Sequence, residues 1–121
     1  MAKAGFPPLV LENLPQVPAG KVKRYSGSDT SYQELAKWTV GKGKAGKLVE
    51  VSMATDNYDK TLWRFEAGGE MVLEDVILPT TLTMQFTDLR LSEEAAVTLS
   101  VKSADGTAIV ADGSIVGKEL G

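Results

Sequence analysis

The chain has 121 residues, of which 43% are hydrophobic and 24% charged, with a formal net charge of -3 and neither cysteine nor histidine. This inventory excludes disulfide scaffolds, cysteine-ligated zinc or iron–sulfur centres, and catalysis or pH switching by histidine, because each needs a thiol or an imidazole. The length fits one domain that buries roughly two-thirds of the surface of the unfolded chain.

Charge is distributed unevenly along the chain. Residues 1–20 hold only Lys3 and Glu12, whereas residues 21–47 hold seven basic and two acidic side chains, a net charge of +5. Residues 48–121 hold five basic and thirteen acidic side chains, a net charge of -8. The sequence therefore predicts a bipolar surface.

The beginning of the chain, MAKAGFPPLV, lacks the apolar core and cleavage site of a signal peptide. No stretch approaches the roughly 20 apolar residues that cross a bilayer. We therefore expect a protein that is made in the cytoplasm and has no membrane partner.

Four of the five prolines, Pro7, Pro8, Pro15 and Pro18, fall in the first 18 residues. Proline removes backbone donors and fixes φ, which predicts an extended N-terminal arm over residues 1–20, ahead of a folded domain over residues 21–121. The arm is apolar rather than charged, so we expect it to lie on a surface, either its own domain, a neighbouring subunit or a larger assembly. Its predicted partner-binding residues are Phe6, Pro7, Leu9, Val10, Leu11, Leu14 and Val17.

From residue 21 onward, apolar and polar side chains alternate with period two between turn residues, which is typical of antiparallel strands. The segment over residues 32–40 also has some helical character, and we interpret it as a strand. Gly68 and Gly69 predict a two-residue hairpin turn, and Gly113 predicts a bulge or a close backbone approach. The predicted strands cover residues 21–26, 32–40, 48–56, 61–67, 70–78, 82–86, 96–103 and 107–120.

Eight or nine short strands spaced about ten residues apart predict an all-β fold, an antiparallel β-sandwich or jelly roll of about eight strands. Each strand has one apolar face, so two sheets should meet over a shared core. The predicted core residues are Val49, Val51, Met53, Trp63, Phe65, Leu73, Leu82, Met84, Phe86, Val97, Leu99, Val101, Ile109 and Ile115.

Two acidic patterns in the sequence have the residue types of a metal site or a catalytic site. Asp56, Asn57 and Asp59 could contribute oxygens to Ca²⁺, but the late bidentate glutamate of calcium loops is missing, and turn chemistry explains them better. Neither Glu74-Asp75 nor Glu93-Glu94 can by itself form the carboxylate pair of a glycosidase, because neighbouring residues in a strand point to opposite faces. We therefore expect no catalytic residue, no metal, no cofactor and no enzymatic activity.

The loop over residues 41–47 approaches the spacing of a phosphate-binding loop, but Leu48 replaces the hydroxyl residue and a strand follows instead of a helix. Its lysines could instead join nearby basic side chains in a contact patch for an acidic surface. The net negative charge of the chain makes nucleic acid an unexpected partner. The predicted patch contains Lys21, Lys23, Arg24, Lys42, Lys44 and Lys47.

Aromatic side chains suggest an alternative function. Trp63 alternates with Phe65 as core residues do, whereas Tyr32, Trp38 and Tyr58 are predicted to be exposed. Exposed aromatic rings stack on sugars in many β-sandwich lectins. A carbohydrate- or receptor-binding module of a phage tail or a cell surface is therefore the alternative.

The segments TDNYDKT, EDVILP and GSIVGKEL, within residues 47–120, resemble small all-β structural proteins of tailed bacteriophages. The general plan is similar to that of the capsid decoration, or cement, proteins. The resemblance covers about two-thirds of the chain and includes no catalytic motif.

The resemblance implies a β-sandwich or jelly roll, usually trimeric, that sits on the outer surface of a virion and holds neighbouring subunits of the major capsid protein together. The arm and the uneven charge fit this role, because an extended segment can add to a partner's sheet and opposite charges can orient docking. The expected partners are thus the major capsid protein and further copies of this chain.

Overall fold

The computed structural model describes residues 16–120, without the side chains of residues 16–22 and 88. It contains eight strands and one short 3-10 turn, Tyr58–Lys60. The strands are β1 (Gln16–Gly27), β2 (Gln33–Thr39), β3 (Ala45–Thr55), β4 (Thr61–Ala67), β5 (Glu70–Val76), β6 (Leu82–Leu91), β7 (Ala96–Ser103) and β8 (Ile109–Leu120).

The strands form two four-stranded antiparallel sheets, and this confirms the predicted all-β sandwich. Sheet A has the order β1-β8-β3-β6, and sheet B has the order β2-β7-β4-β5. The first strand pairs with the last, the second with the seventh, the third with the sixth and the fourth with the fifth. This nested pairing is the strand arrangement of a jelly roll.

Where apolar and polar side chains alternate strictly, the predicted strand bounds agree with the structure to the residue. The bounds of β4 and β7 match the prediction, and Gly68 and Gly69 make the turn after β4 with φ of 61° and 86°. β1 is longer than predicted: it begins at Gln16, within the predicted arm, and pairs with β8 along all twelve of its residues. Proline is tolerated in β1 at position 18 because β1 is an edge strand, where only alternate backbone donors are needed by the neighbouring strand.

Two β-bulges, one in β3 and one in β2, change which residues face the core from those predicted. Opposite β8, Leu48 pairs with Gly117 and Glu50 pairs with Val116, so Val49 is an extra residue. Leu48 is therefore fully buried, and the prediction that Val49 belongs to the core is wrong.

The second bulge lies in β2. Leu35 is the extra residue between the pairs Glu34 with Ser100 and Ala36 with Leu99. Because a one-residue insertion reverses the alternation, Ala36 and Trp38 face the core. Trp38 is only 4% exposed, so its predicted exposure is wrong.

The core lies between the sheets and contains most of the predicted residues. Leu73, Leu82, Met84 and Phe86 pack against it but are only partly buried. The other predicted core residues, apart from Val49, are buried: Val51, Met53, Trp63, Phe65, Val97, Leu99, Val101, Ile109 and Ile115.

β8 brings its backbone close to sheet B at two glycines. A Cβ at Gly113 would lie 2.6 Å from Cδ2 of both Leu35 and Leu99, which confirms the predicted close approach. A Cβ at Gly117 would collide with the indole ring of Trp38. The absence of these two side chains lets the large residues of β2 pack beneath sheet A.

Candidate interaction surface

The predicted contact residues of the arm are divided by the start of β1. Val17 lies in β1, where its backbone pairs with Glu119. The remaining predicted contact residues lie outside the described part of the chain: Phe6, Pro7, Leu9, Val10, Leu11 and Leu14. Residues 16–20 of the predicted arm therefore form the beginning of an edge strand.

The predicted basic patch is split along sheet A. On β8, the partners of Lys47 and Arg24 are Lys118 and Asp112. These partners are six residues apart, which corresponds to about 20 Å along a strand. Arg24 therefore does not join the patch residues near the start of β3.

Each remaining patch residue lies either in β1 or in the loop before β3. Lys21 and Lys23 of β1 pair with Ile115 and Gly113, and the side chain of Lys23 is exposed. Lys42 is exposed in the turn before β3, and Lys44 immediately precedes the strand. The lysines of the loop thus stay near Lys47.

Lys47 belongs to a row of basic residues that crosses three strands. It pairs with Lys118 of β8 on one side and with Arg90 of β6 on the other. Gly46 and Leu48 on either side of Lys47 are buried, so Lys47 points to the outer face of sheet A. We call Lys118, Lys47 and Arg90 the basic row. Sequence analysis missed Arg90 and Lys118 because only the strand register brings them beside Lys47.

Arg24 is engaged in a paired contact at the far end of the same face. Its Nε and Nη2 donate to the two carboxylate oxygens of Asp112, at 2.7 Å and 3.0 Å. The hydrogen bonds and charge of Arg24 lower the pKa of Asp112. Arg24 therefore links β1 to β8, and both side chains are largely exposed.

The glycine loop before β3 uses its backbone donors within the protein. The amide of Gly41 donates to Oε2 of Glu119 at 2.9 Å, and the amide of Gly43 donates to Oε1 of Glu93 at 2.7 Å. A phosphate-binding loop would direct such amides at its ligand. Carboxylates accept these donors instead, which supports interpreting the loop as a connection between strands.

The middle of the outer face of sheet A carries small side chains. Ser114, Ser52 and Thr83 form one row across β8, β3 and β6, and the hydroxyls of Ser52 and Thr83 lie 3.2 Å apart. A shallow hollow of about 160 Å³ lies here, between Thr81 and Asp112. These small side chains are separated from the basic row by one further row of residues, Val116, Glu50 and Gln85.

Tyr32 lies against the outer face of sheet B and is held by polar contacts. Its hydroxyl donates to Oδ1 of Asp75 at 2.6 Å and accepts from the Asp75 amide at 2.9 Å. The cationic groups of Arg64 and Lys102 lie 4.3 Å and 4.4 Å from the centre of its ring. Burial and the bond to Asp75 raise the pKa of Tyr32 to about 12.

Tyr58 and the acidic turn beside it are also internally bonded. The hydroxyls of Tyr58 and Thr81 lie 2.6 Å apart, and Oδ1 of Asp56 accepts the amide of Val110 at 2.9 Å. The carbonyl of Asn57 accepts the hydroxyl of Thr61 at 2.7 Å. These bonds are those of a structural turn. Within the described residues, no three acidic side chains cluster as metal ligands would.

Within residues 16–120, no helix is long and apolar enough to cross a bilayer. Comparison with known protein families found no family model that matches the chain, and no curated protein matches it significantly.

Proposed function

We propose that this chain is a non-enzymatic structural protein of a virion. It binds the outer surface of a phage capsid and stabilises the shell by bridging neighbouring subunits. The copies associate, and a homotrimer is the expected form. The resemblance of TDNYDKT, EDVILP and GSIVGKEL to phage structural proteins is the starting point of the proposal.

The observation that carries the proposal is the position at which the arm joins the sandwich. β1 begins at Gln16 on the edge of sheet A, and Gln16 pairs with Leu120 at the end of β8. Lys118 of the basic row lies only two residues away on β8. The apolar arm and the basic row thus begin at the same corner of the sandwich. This arrangement suits a protein that contacts a neighbouring subunit and an acidic surface together.

The jelly-roll arrangement fits the proposal without selecting it. This fold serves viral capsid proteins and lectins alike, so fold alone does not distinguish the two functions. The carbohydrate-binding alternative loses its main ring, because Trp38 is buried beneath Gly117 and cannot stack on a sugar. Tyr58 is half-buried and bonded to Thr81. We therefore favour the shell-binding function.

Co-sedimentation with capsids tests the proposal. The shells should be those of the phage or prophage whose genome encodes this chain, purified without it. We expect the complete chain to pellet with assembled shells and to remain in solution with unassembled capsid subunits. A version beginning at Gln16, which keeps all of β1, should bind at least tenfold more weakly.

A matched control separates loss of the arm from general damage. Lys37→Ala changes one exposed side chain of β2, on the opposite sheet, and should bind shells as the unmodified chain does. Failure of the complete chain to bind any assembled shell contradicts the proposal. Equal binding by the version beginning at Gln16 contradicts the role of the arm.

A further inference from the structure

In the described part of the chain, residues 16–120, the sandwich is closed along one side and open along the other. The backbone of β1 lies against β2, whereas β5 and β6 approach each other hardly at all. Six of the nine partly buried apolar side chains that pack on the core come from these two strands. We call this set the apolar seam: Leu73, Val76, Leu82, Met84, Phe86 and Leu89.

Among the strands that the structure describes, none lies beyond the seam, and this leaves the seam partly exposed. In one row of sheet A, Ile115 of β8 and Val51 of β3 are fully buried, whereas Met84 of β6 is only partly buried. All three side chains face the same core, and only the third lacks a neighbouring strand on one side. One more extended segment beside β6 would complete the row.

Three exposed apolar side chains lie on β5 and just after its end, close to the seam in sequence. Met71, Val72 and Ile77 are 46%, 45% and 53% exposed. They are three of the four large apolar side chains that are exposed among the described residues. Exposed apolar side chains are thus concentrated at this edge of the sandwich, which marks it as a candidate contact site.

β6 is better suited than β5 to receive a strand. β5 has two register irregularities against β4, and Asp75 has a φ of 53° within one of them. Bulges of this kind discourage pairing along an edge. β6 has one register irregularity against β3, after Gln85, but it pairs regularly from Leu82 to Gln85, so this part of its edge presents evenly spaced backbone donors and acceptors.

The arm contains one segment with the matching chemistry. Residues 9–14, LVLENL, lie between Pro8 and Pro15 and contain no proline, so every amide can donate. Four of the six residues are large and apolar, and Glu12 carries the one charge. Such a segment can both pair with the edge of β6 and cover the seam.

Chain length prevents a molecule from placing this whole segment on its own seam. A strand beyond β6 lies four strand spacings from β1, which is about 19 Å. Leu14 is two residues from Gln16, a reach of at most about 7 Å, and Leu11 reaches at most about 17 Å. Residues 9–14 can therefore cover the whole seam only if they belong to another copy of the chain.

We propose that residues 9–14 of a second copy bind along the free edge of β6 and cover the apolar seam. This contact rests on the proposed function, in which the copies of the chain associate. The edge of β6 and the apolar seam are the surface that the arm of the neighbouring copy binds. The arm leaves from β1 and the seam lies at the opposite edge of the sheet. Such a head-to-tail contact closes into a ring when its rotation permits.

Cysteine cross-linking in the absence of capsids tests this contact, and its outcome is independent of shell binding. The chain has no cysteine, so each introduced thiol is unique. Asn13→Cys on a tagged chain and Gln85→Cys on an untagged chain are mixed and treated with a short bismaleimide. We expect a cross-linked heterodimer, identified by mass spectrometry, with a yield at least tenfold above that of Asn13→Cys mixed with the control Lys37→Cys.

Two measurements make the result decisive. The complete chain should have a mass of two or more times 12.9 kDa, threefold for a trimeric ring, and the version beginning at Gln16 should have the mass of its own monomer. Circular dichroism should show that this version remains folded. The proposal is overturned if the heterodimer does not form, or if the oligomer is unchanged without residues 1–15. It is also overturned if a chain that carries both Asn13→Cys and Gln85→Cys cross-links within one monomer.

Discussion

The hydroxyl of Tyr32 joins a loop to a bulge in an edge strand. It bonds to both the carboxylate and the amide of Asp75, and Lys102 lies 3.4 Å from the same carboxylate. Tyr32 and Lys102 together lower the pKa of Asp75. These contacts hold the positive φ of Asp75 in place and so help to fix the irregular edge of sheet B.

The ionisation of Tyr32 gives a prediction at high pH. Its pKa is raised to about 12 from an ordinary value near 10, so the folded state holds the proton that the unfolded chain loses. The resulting stabilisation is complete below about pH 10 and disappears as the pH rises through about 12. Tyrosinate absorbance should show a step near pH 12 that Tyr32→Phe lacks.

The same variant separates this ionisation from that of the other tyrosines. Between pH 10 and pH 12, the free energy of unfolding of Tyr32→Phe should fall less steeply than that of the unmodified protein. Tyr25→Phe, a change in another partly buried tyrosine, should keep the absorbance step near pH 12. Persistence of that step in Tyr32→Phe would refute the assignment.

At the scale of the elements, regular alternation was sufficient to locate strands. Thr61, Trp63 and Phe65 share the buried face of β4, as the sequence predicted. Periodicity failed at Val49 and Trp38 because a bulge reverses the inward face, and a bulge depends on the partner strand.

The basic patch illustrates the same limit for the candidate site. Its predicted members were chosen by nearness in sequence, yet Lys47 lies beside Arg90 and Lys118 through strand register. Residues 43 and 71 positions apart become neighbours only after the sheet order is known. The members of the basic row could therefore not be predicted from nearness in sequence.

The bulge in β3 makes a prediction with its own matched control. Leu48 is completely buried, so Leu48→Ala should lower the free energy of unfolding by about 3 kcal/mol through lost burial and a cavity. Val49→Ala, one residue away, should cost about 1 kcal/mol or less, because that side chain is only partly buried. Urea denaturation measures both values. A larger loss for Val49→Ala would contradict the bulged register.

At the scale of the whole molecule, the net charge of -3 conceals separate regions. A nearly uncharged arm precedes a basic segment and an acidic remainder. In the folded protein, the basic row crosses a sheet whose strands come largely from the acidic part of the sequence. Surface charge is therefore arranged by topology as well as by sequence position.

The two edges of sheet A differ in a way that bears on assembly. One edge begins with β1, which follows the arm, and the other is β6, which lines the apolar seam. Contacts between such unlike edges are directional, so copies would join head to tail. A ring of copies on a shell would bridge several capsid subunits at once, and multivalent binding would strengthen its attachment.

The most direct test of the shell-stabilising role is the temperature at which purified capsids come apart, measured with and without saturating protein. A ligand that binds the assembled shell in preference to free subunits shifts the equilibrium toward the shell. The complete chain should raise that temperature by several degrees, and the version beginning at Gln16 should raise it much less. A disassembly temperature that saturating amounts of the complete chain leave unchanged would contradict the proposed function.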